Sequence, residues 1–276
     1  MKITFEEIKN RKSVRTYEDK LLEQGIKEEL VSFIKSNNTG LFGTQISFEL
    51  IDLSGAGQEE LKELASYGNI RGPKYFMAGT ITSSFAALLD YGYLMEKNIL
   101  AAMSLGLGTC WVGGTFSRAG FMGKLNAGIG QVVPAVVPTG YAAKKVDVSD
   151  TATRVFVGAD SRKHWRDIFF DGAADKYLTE TAAGEFKTAL EALRLAPSAS
   201  NKQPWRIIKE GGKLHLFLER TPGYRSHGKE DMQLMDMGIA MCNFDISAGE
   251  TGLKGTWKTG GSAAGKEGWE YIASRE

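Results

Sequence analysis

The chain has 276 residues, of which 42% are hydrophobic and 24% charged, with a formal net charge of +1. That length can bury a large core, as one big domain or two small ones, and the composition is that of a soluble globular protein. A charge so close to zero supplies no field for nucleic acid or an anionic membrane surface. No run of about 18 apolar residues is present, so no membrane span is expected. The N-terminus, MKITFEEIKNRKSVR, is too charged for a signal peptide. The two cysteines, Cys110 and Cys242, suit small core residues in a reducing compartment better than a disulfide framework. A cytoplasmic protein is expected.

In chain order, Thr4-Phe5-Glu6-Glu7 is a capping box opening a short helix, with Thr4 as N-cap and Glu7 reaching back. Leu30, Val31, Phe33 and Ile34 give Lys27 to Lys35 a helical apolar face. Gln45 to Leu53 and Lys74 to Thr82 suit strands. Ser83 to Leu105 suits a mostly buried helix, followed by short strands over Thr109 to Gly114 and Val132 to Tyr141. The polar stretch Asp171 to Glu180 looks like a connector. Glu185 to Leu195 is helical, and Arg206 to Lys209 pairs with Leu214 to Leu218 across a turn containing Gly211 and Gly212. Asp231 to Glu250 repeats the long helix. These elements form neither a parallel βαβ series nor an all-β pattern, so the class is α+β.

The long helices are two copies of one segment. GYLMEKNILAAMSLGLGTCW (92–111) and GIAMCNFDISAGETGLKGTW (238–257) match at a constant offset of 146, through Gly92/Gly238, Met95/Met241, Ala102/Ala248, Gly106/Gly252, Leu107/Leu253 and Trp111/Trp257. Solenoid periods run about 20–50 residues, so this echo suggests a duplicated half-molecule. The expected halves are residues 1–170 and 171–276.

Several common sites fail on inspection. Gly106-Leu107-Gly108 begins a dinucleotide fingerprint, but Trp111 takes the third glycine position and the segment ends a helix. Gly223 to Glu230 and Gly260 to Glu267 mimic phosphate loops. Each places a glutamate where Mg²⁺ chemistry needs a hydroxyl. His164, His215 and His227 have no ligand spacing, so no metal site is expected. Two polar stretches remain. Arg11-Lys12-Ser13-Val14-Arg15 is a solvated cationic face or a phosphate grip, since guanidinium forks bind phosphate bidentately. Ala196 to Trp205 (APSASNKQPW) is either a helix-ending loop or a small polar rim for a flat ring.

With Gly106 to Gly114, these two stretches resemble the motifs of the FMN-dependent nitroreductase family: Arg-basic-Ser-x-Arg, Ala-Pro-Ser-x-x-Asn-x-Gln-Pro-Trp, and a Gly-Leu-Gly helix end leading into a short strand. The resemblance covers essentially the whole chain and implies a nitroreductase-like fold. Members are homodimers with flavin held between subunits, and their Pro-Ser loop normally follows soon after the Arg motif. Here that position reads Ser36 to Gln45 (SNNTGLFGTQ) and lacks the Pro-Ser-Asn set, while the second half has the set without an Arg motif before it. The chain therefore resembles the tandem branch of the family, whose two fused halves form an intrachain pseudo-dimer with one FMN. A monomer is expected.

The resemblance implies roles residue by residue. Arg11, Lys12, Ser13 and Arg15 match the motif for phosphate and ribityl. Arg162 and Lys163 look like the basic pair closing on the phosphate, where a solvated charge cluster is the alternative. Pro197, Ser198, Ala199 and Asn201 match the loop beside the isoalloxazine. Gly113 and Gly114 bring main-chain N–H groups to flavin N5 and O4, and glycine permits that approach. Asn69 and Arg71 fall where the family contacts the pyrimidine edge. No side chain is implied as a catalytic group, because flavin N5 carries the hydride. NADH or NADPH would be a transient donor, and a nitroaromatic, quinone or flavin the acceptor, in ping-pong order. The main alternative is a flavin-binding or flavin-storing protein on a degenerate scaffold. Reductive dehalogenation or dehydrogenation of a peptide heterocycle is a further one.

Overall fold

The computed structural model describes residues 2–57, 60, 61, 64, 70–144, 158, 159, 161–224 and 230–276. The Thr4 capping box starts α1 (Phe5–Asn10): Thr4 N donates to Glu7 Oε2 at 2.8 Å and Glu6 N to Thr4 Oγ1 at 3.3 Å. Helix α2 (Gln24–Ser36) turns Leu30 and Ile34 into the core. Then come β1 (Phe48–Asp52), β2 (Tyr75–Gly79), β3 (Ile81–Thr82), α3 (Phe85–Ser104), β4 (Gly108–Thr109), α4 (Arg118–Lys124), β5 (Gln131–Val132) and β6 (Val136–Gly140). After a short 3₁₀ turn at Trp165–Asp167 follow β7 (Phe169–Asp171), β8 (Ala173–Tyr177), α5 (Glu180–Ala183), α6 (Lys187–Arg194), β9 (Trp205–Glu210), β10 (Lys213–Glu219), α7 (Met232–Thr251), β11 (Trp257–Lys258) and β12 (Trp269–Arg275). The fold is mixed helix and sheet, as the sequence suggests.

One sheet runs β1-β2-β6-β4 and the other β11-β12-β10-β9-β7-β8. Within the second, β9-β10-β12-β11 repeats the order of the first, again wholly antiparallel. In each set the long helix follows the second strand. The extra β7–β8 hairpin joins the edge of β9, with β7 parallel to it. The stretch expected to be a plain connector, Asp171 to Glu180, is thus largely strand. The expected strands 74–82 and 132–141 each divide in two, their short ends β3 and β5 pairing as a separate ribbon. The 109–114 strand shrinks to β4 plus one bridge between Val112 and Val136.

Helices α3 and α7 cross at their shared glycines. A Cβ on Gly92 would overlap the Met235 carbonyl oxygen, and one on Gly238 would overlap that of Leu89. Met235 is Leu89 displaced by 146 positions, so the contact is reciprocal. The helix ends match too. Gly106 (φ 79°) and Gly252 (φ 74°) take the left-handed turn that glycine tolerates. Leu107 N then donates to Ala102 O at 3.0 Å, and Leu253 N to Ala248 O at 2.9 Å. One apolar core unites both sheets with the helices, through Met77, Val137, Leu89, Met95, Met241, Phe244, Ile207 and Leu216. Residues 1–170 and 171–276 therefore share a core. Cys110 and Cys242 are buried and free. Among the described residues no helix is long and apolar enough to cross a membrane.

Candidate functional site

Both motif segments are set by local chemistry. The Arg11–Arg15 segment lies along β4, where Val14 N donates to Thr109 O at 2.8 Å and Ser13 forms an isolated bridge with Thr109. Gly108 permits this, since a Cβ there would press on the Val14 side chain at 2.8–2.9 Å. The Pro197–Trp205 loop follows α6 and is tied internally: Gln203 N donates to Ser198 Oγ at 2.8 Å and Asn201 N to Ser198 O at 2.9 Å. Ser200, Asn201 and Gln203 all have left-handed φ, between 49° and 53°. Such strain persists where surrounding bonds over-determine it, commonly at ligand clamps.

A cavity of about 480 Å³ lies between these segments, within the usual range for small-molecule sites of about 300–1,000 Å³. Arg11, Lys12, Ser13, Arg15, Gly113, Gly114, Arg162, Pro197, Ser198, Ala199 and Asn201 all line it. Residues nearly 190 positions apart in the chain thus meet at one place. Lys9 adds a cation, and Trp111, Leu195, Met232, Met235 and Ile239 add apolar walls.

Two expected residues stand outside this lining. Arg71 is joined to the Arg motif through its backbone, its N–H donating to Arg15 O at 2.8 Å. Lys163 has its N–H fixed by Gln203 Oε1 at 2.8 Å, while burial and then the Arg206 charge hold its ammonium pKa below the usual lysine range. Asn69 lies outside the described residues, as does His227. Of the remaining histidines, His164 is exposed, and the buried His215 pairs its Nδ1 with Ser274 Oγ at 2.6 Å. Among the described residues no group of three His, Cys, Asp or Glu is placed to hold a metal.

Two side chains also serve the scaffold beyond their expected roles. Arg162 donates to Leu195 O at 3.1 and 3.2 Å and to Ala159 O at 3.0 Å, clamping its segment to the end of α6. Asn201 Nδ2 donates to Gly158 O at 2.6 Å. Gln203 ties Lys163 to Asn201, its Oε1 accepting from Lys163 N and its Nε2 donating to Asn201 O and Oδ1, and replacing it with alanine leaves the Lys163 N–H without its acceptor. Gln203→Ala should cost about 2 kcal/mol, from an orphaned buried donor and lost side-chain bonds. The checks are a lowered unfolding midpoint and faster amide exchange at Lys163.

Two carboxylates behind the walls belong to none of the sequence motifs. Trp111 Nε1 donates to Glu96 Oε2 at 2.8 Å. Burial pushes the Glu96 carboxyl above its ordinary range, against the opposing pull of Arg11 and Trp111. Asp236 is 2% exposed and lines the cavity; Ala199 N donates to its Oδ1 at 2.9 Å. Burial pushes this carboxyl well above the usual range, and the negative Asp231 adds to the effect. The signal was available, because Asp90 and Asp236 extend the 146-residue echo upstream of its glycines.

The equivalent place in the repeat, around Asp90, is closed. Its loop folds onto Asp90, whose Oδ1 accepts from Phe42 N and Oδ2 from Thr44 N, both at 2.9 Å. A Cβ on Gly40 would overlap the Asp90 carboxyl.

The family model described as "Putative TM nitroreductase" matches residues 3–248. Among solved structures, a "putative nitroreductase" from Thermotoga maritima is 19% identical with a TM-score of 0.62, covering 100% of this chain and 93% of its own. A nitroreductase family protein from Clostridium novyi NT is 19% identical with a TM-score of 0.41, covering 53% of this chain and 89% of its own. An FMN-dependent nitroreductase from Clostridium difficile is 17% identical with a TM-score of 0.40, covering 52% of this chain and 92% of its own. Comparison with curated proteins gives no match.

Proposed function

Because this chain belongs to the nitroreductase family whose model spans residues 3–248, we propose that it is an FMN-dependent oxidoreductase. It would take hydride from NADH or NADPH and deliver it to a nitroaromatic, quinone or flavin acceptor in ping-pong order. The observation that carries this reading is the convergence of all three motifs on one cavity that is cationic in one part and apolar in another. Arg11, Ser13 and Arg15 supply charge-assisted donors for a phosphate, with Arg162 beside them. Pro197, Ser198, Ala199 and Asn201 border the ring, and Gly113 and Gly114 offer main-chain approach. FMN, when bound, supplies reversible hydride chemistry at N5. The residues orient it, and the described ones offer no dinucleotide fingerprint, so NAD(P)H and acceptor would enter the cavity by turns.

The two halves act as fused subunits, with one site per chain. Support comes from the reciprocal glycine contacts, the twice-used strand order and the paired helix caps. Closure of the first-half loop on Asp90 accounts for the missing second site. The β7–β8 hairpin straddles the 170/171 boundary between the halves and lies on the edge of the second half's sheet. Contacts of a dimer are met within one chain, so it would be monomeric in solution, which mass measurement can test. To separate enzyme from flavin store, the flavin-loaded protein is mixed anaerobically with NADH or NADPH. Bleaching of the flavin band by either nucleotide is the expected result. Persistent yellow with both would remove the enzymatic reading.

A further inference from the structure

Asp90 and Asp236 occupy the same place in the repeat, two residues before Gly92 and Gly238. Both are buried, at 0% and 2% exposure. Their surroundings differ in one respect. Each oxygen of Asp90 accepts a backbone N–H, from Phe42 and Thr44. Asp236 has one such donor, Ala199 N on Oδ1, and its buried Oδ2 has no hydrogen-bond partner among the described residues. An unpartnered polar atom of a residue lining the cavity is therefore left beside the Pro-Ser loop.

An ionised carboxylate with one donor, in an apolar wall that includes Met235 and Ile239, is expensive to bury. The Asp231 side chain, which caps the same helix, adds a negative charge. The neutral acid avoids that cost. It keeps Oδ1 as acceptor for Ala199 and gains an O–H donor on Oδ2. A carboxylic acid kept neutral by an apolar site so that it can donate a hydrogen bond has precedent in enzymes.

We propose that Asp236 is a neutral carboxylic acid whose Oδ2–H donates to the ligand in this cavity. The site thereby selects a ring system that presents a carbonyl oxygen or an unprotonated ring nitrogen to it. Asp236 is a positioning residue with two tasks, since Oδ1 holds the Pro-Ser loop while Oδ2 addresses the ligand. The identity of that ligand as FMN rests on the proposed function. The protonation state of Asp236 does not.

The test uses the whole chain, with and without FMN, as wild type, Asp236→Asn and Asp90→Asn. Asparagine at 236 keeps an acceptor for Ala199 and places N–H where the O–H was. It should bind FMN within about 3-fold of wild type, whereas Asp236→Leu, which lacks both, should bind about 10-fold more weakly. Infrared difference spectra should contain a carboxylic-acid carbonyl band that shifts on adding FMN and disappears in Asp236→Asn. Asp90→Asn should leave that band in place. It would set an amide NH₂ against a backbone N–H, and should lower the unfolding midpoint by about 5 °C. An absent band, a band unmoved by bound FMN, or an Asp236→Asn variant as weak as Asp236→Leu would overturn the proposal. A band that disappears in Asp236→Asn, in a chain that takes up no FMN, would instead sink the flavin reading and uphold the neutral acid.

Discussion

Gly238→Ala should destabilise the protein by about 3 kcal/mol or more, and Gly92→Ala should do nearly the same. In both cases the added Cβ meets a backbone carbonyl oxygen of the opposing helix, Leu89 or Met235. A flexible side chain could swing aside, but a helix backbone can yield only by moving the helix. Close packing around Met95, Met241 and Phe244 makes that movement costly. Gly249 supplies the control. It lies on the same helix with open space around it, so Gly249→Ala should stabilise by about 0.5–1 kcal/mol through helix propensity. Opposite signs for one substitution on one helix, read from denaturant unfolding, would establish the crossing. The two crossing mutations share one interface, so their combination should cost less than their sum.

Arg11→Ala should weaken FMN binding about 10- to 100-fold and leave riboflavin binding nearly unchanged. Charged hydrogen bonds are worth about 1.5–3 kcal/mol each, and riboflavin has no phosphate to receive them. Arg11→Lys should fall between, because lysine retains the charge and loses the planar fork. Fluorescence titration with both ligands reads this directly. Equal loss for riboflavin and FMN would mean that Arg11 supports the cavity in some other way, for instance through the buried Glu96 whose charge it offsets.

Much of this architecture was legible because it rests on local rules. The Thr4 capping box, the long apolar helices and the hairpin around Gly211 and Gly212 formed where their patterns indicated. The hidden parts depend on distant partners. Strands β7 and β8 exist because β9 offers an edge, which the polar composition of 171–180 does not announce. Strand β12, Trp269–Arg275, was not anticipated and pairs with β10 across a bulge.

The site shows the same division. Motif residues carry their chemistry in the letters, so Arg11 to Arg15 and Pro197 to Asn201 were identifiable before any fold was known. Arg71 was placed by position alone, without a motif, and Lys163 as the partner of Arg162 in a basic pair; Arg162 lines the cavity, and Arg71 and Lys163 do not. Asp236 was missed for the opposite reason. In a helix that is otherwise apolar it looks like an interruption, and its meaning comes from Ala199, 37 positions earlier.

A single flavin site shared within one chain is decided by stoichiometry. Purified chain, stripped of any flavin and titrated with FMN under native mass spectrometry, should bind one FMN per 276-residue chain as a monomer. Two flavins per chain would mean that the loop around Asp90 does not close the first-half site. No bound flavin at all would contradict the account outright.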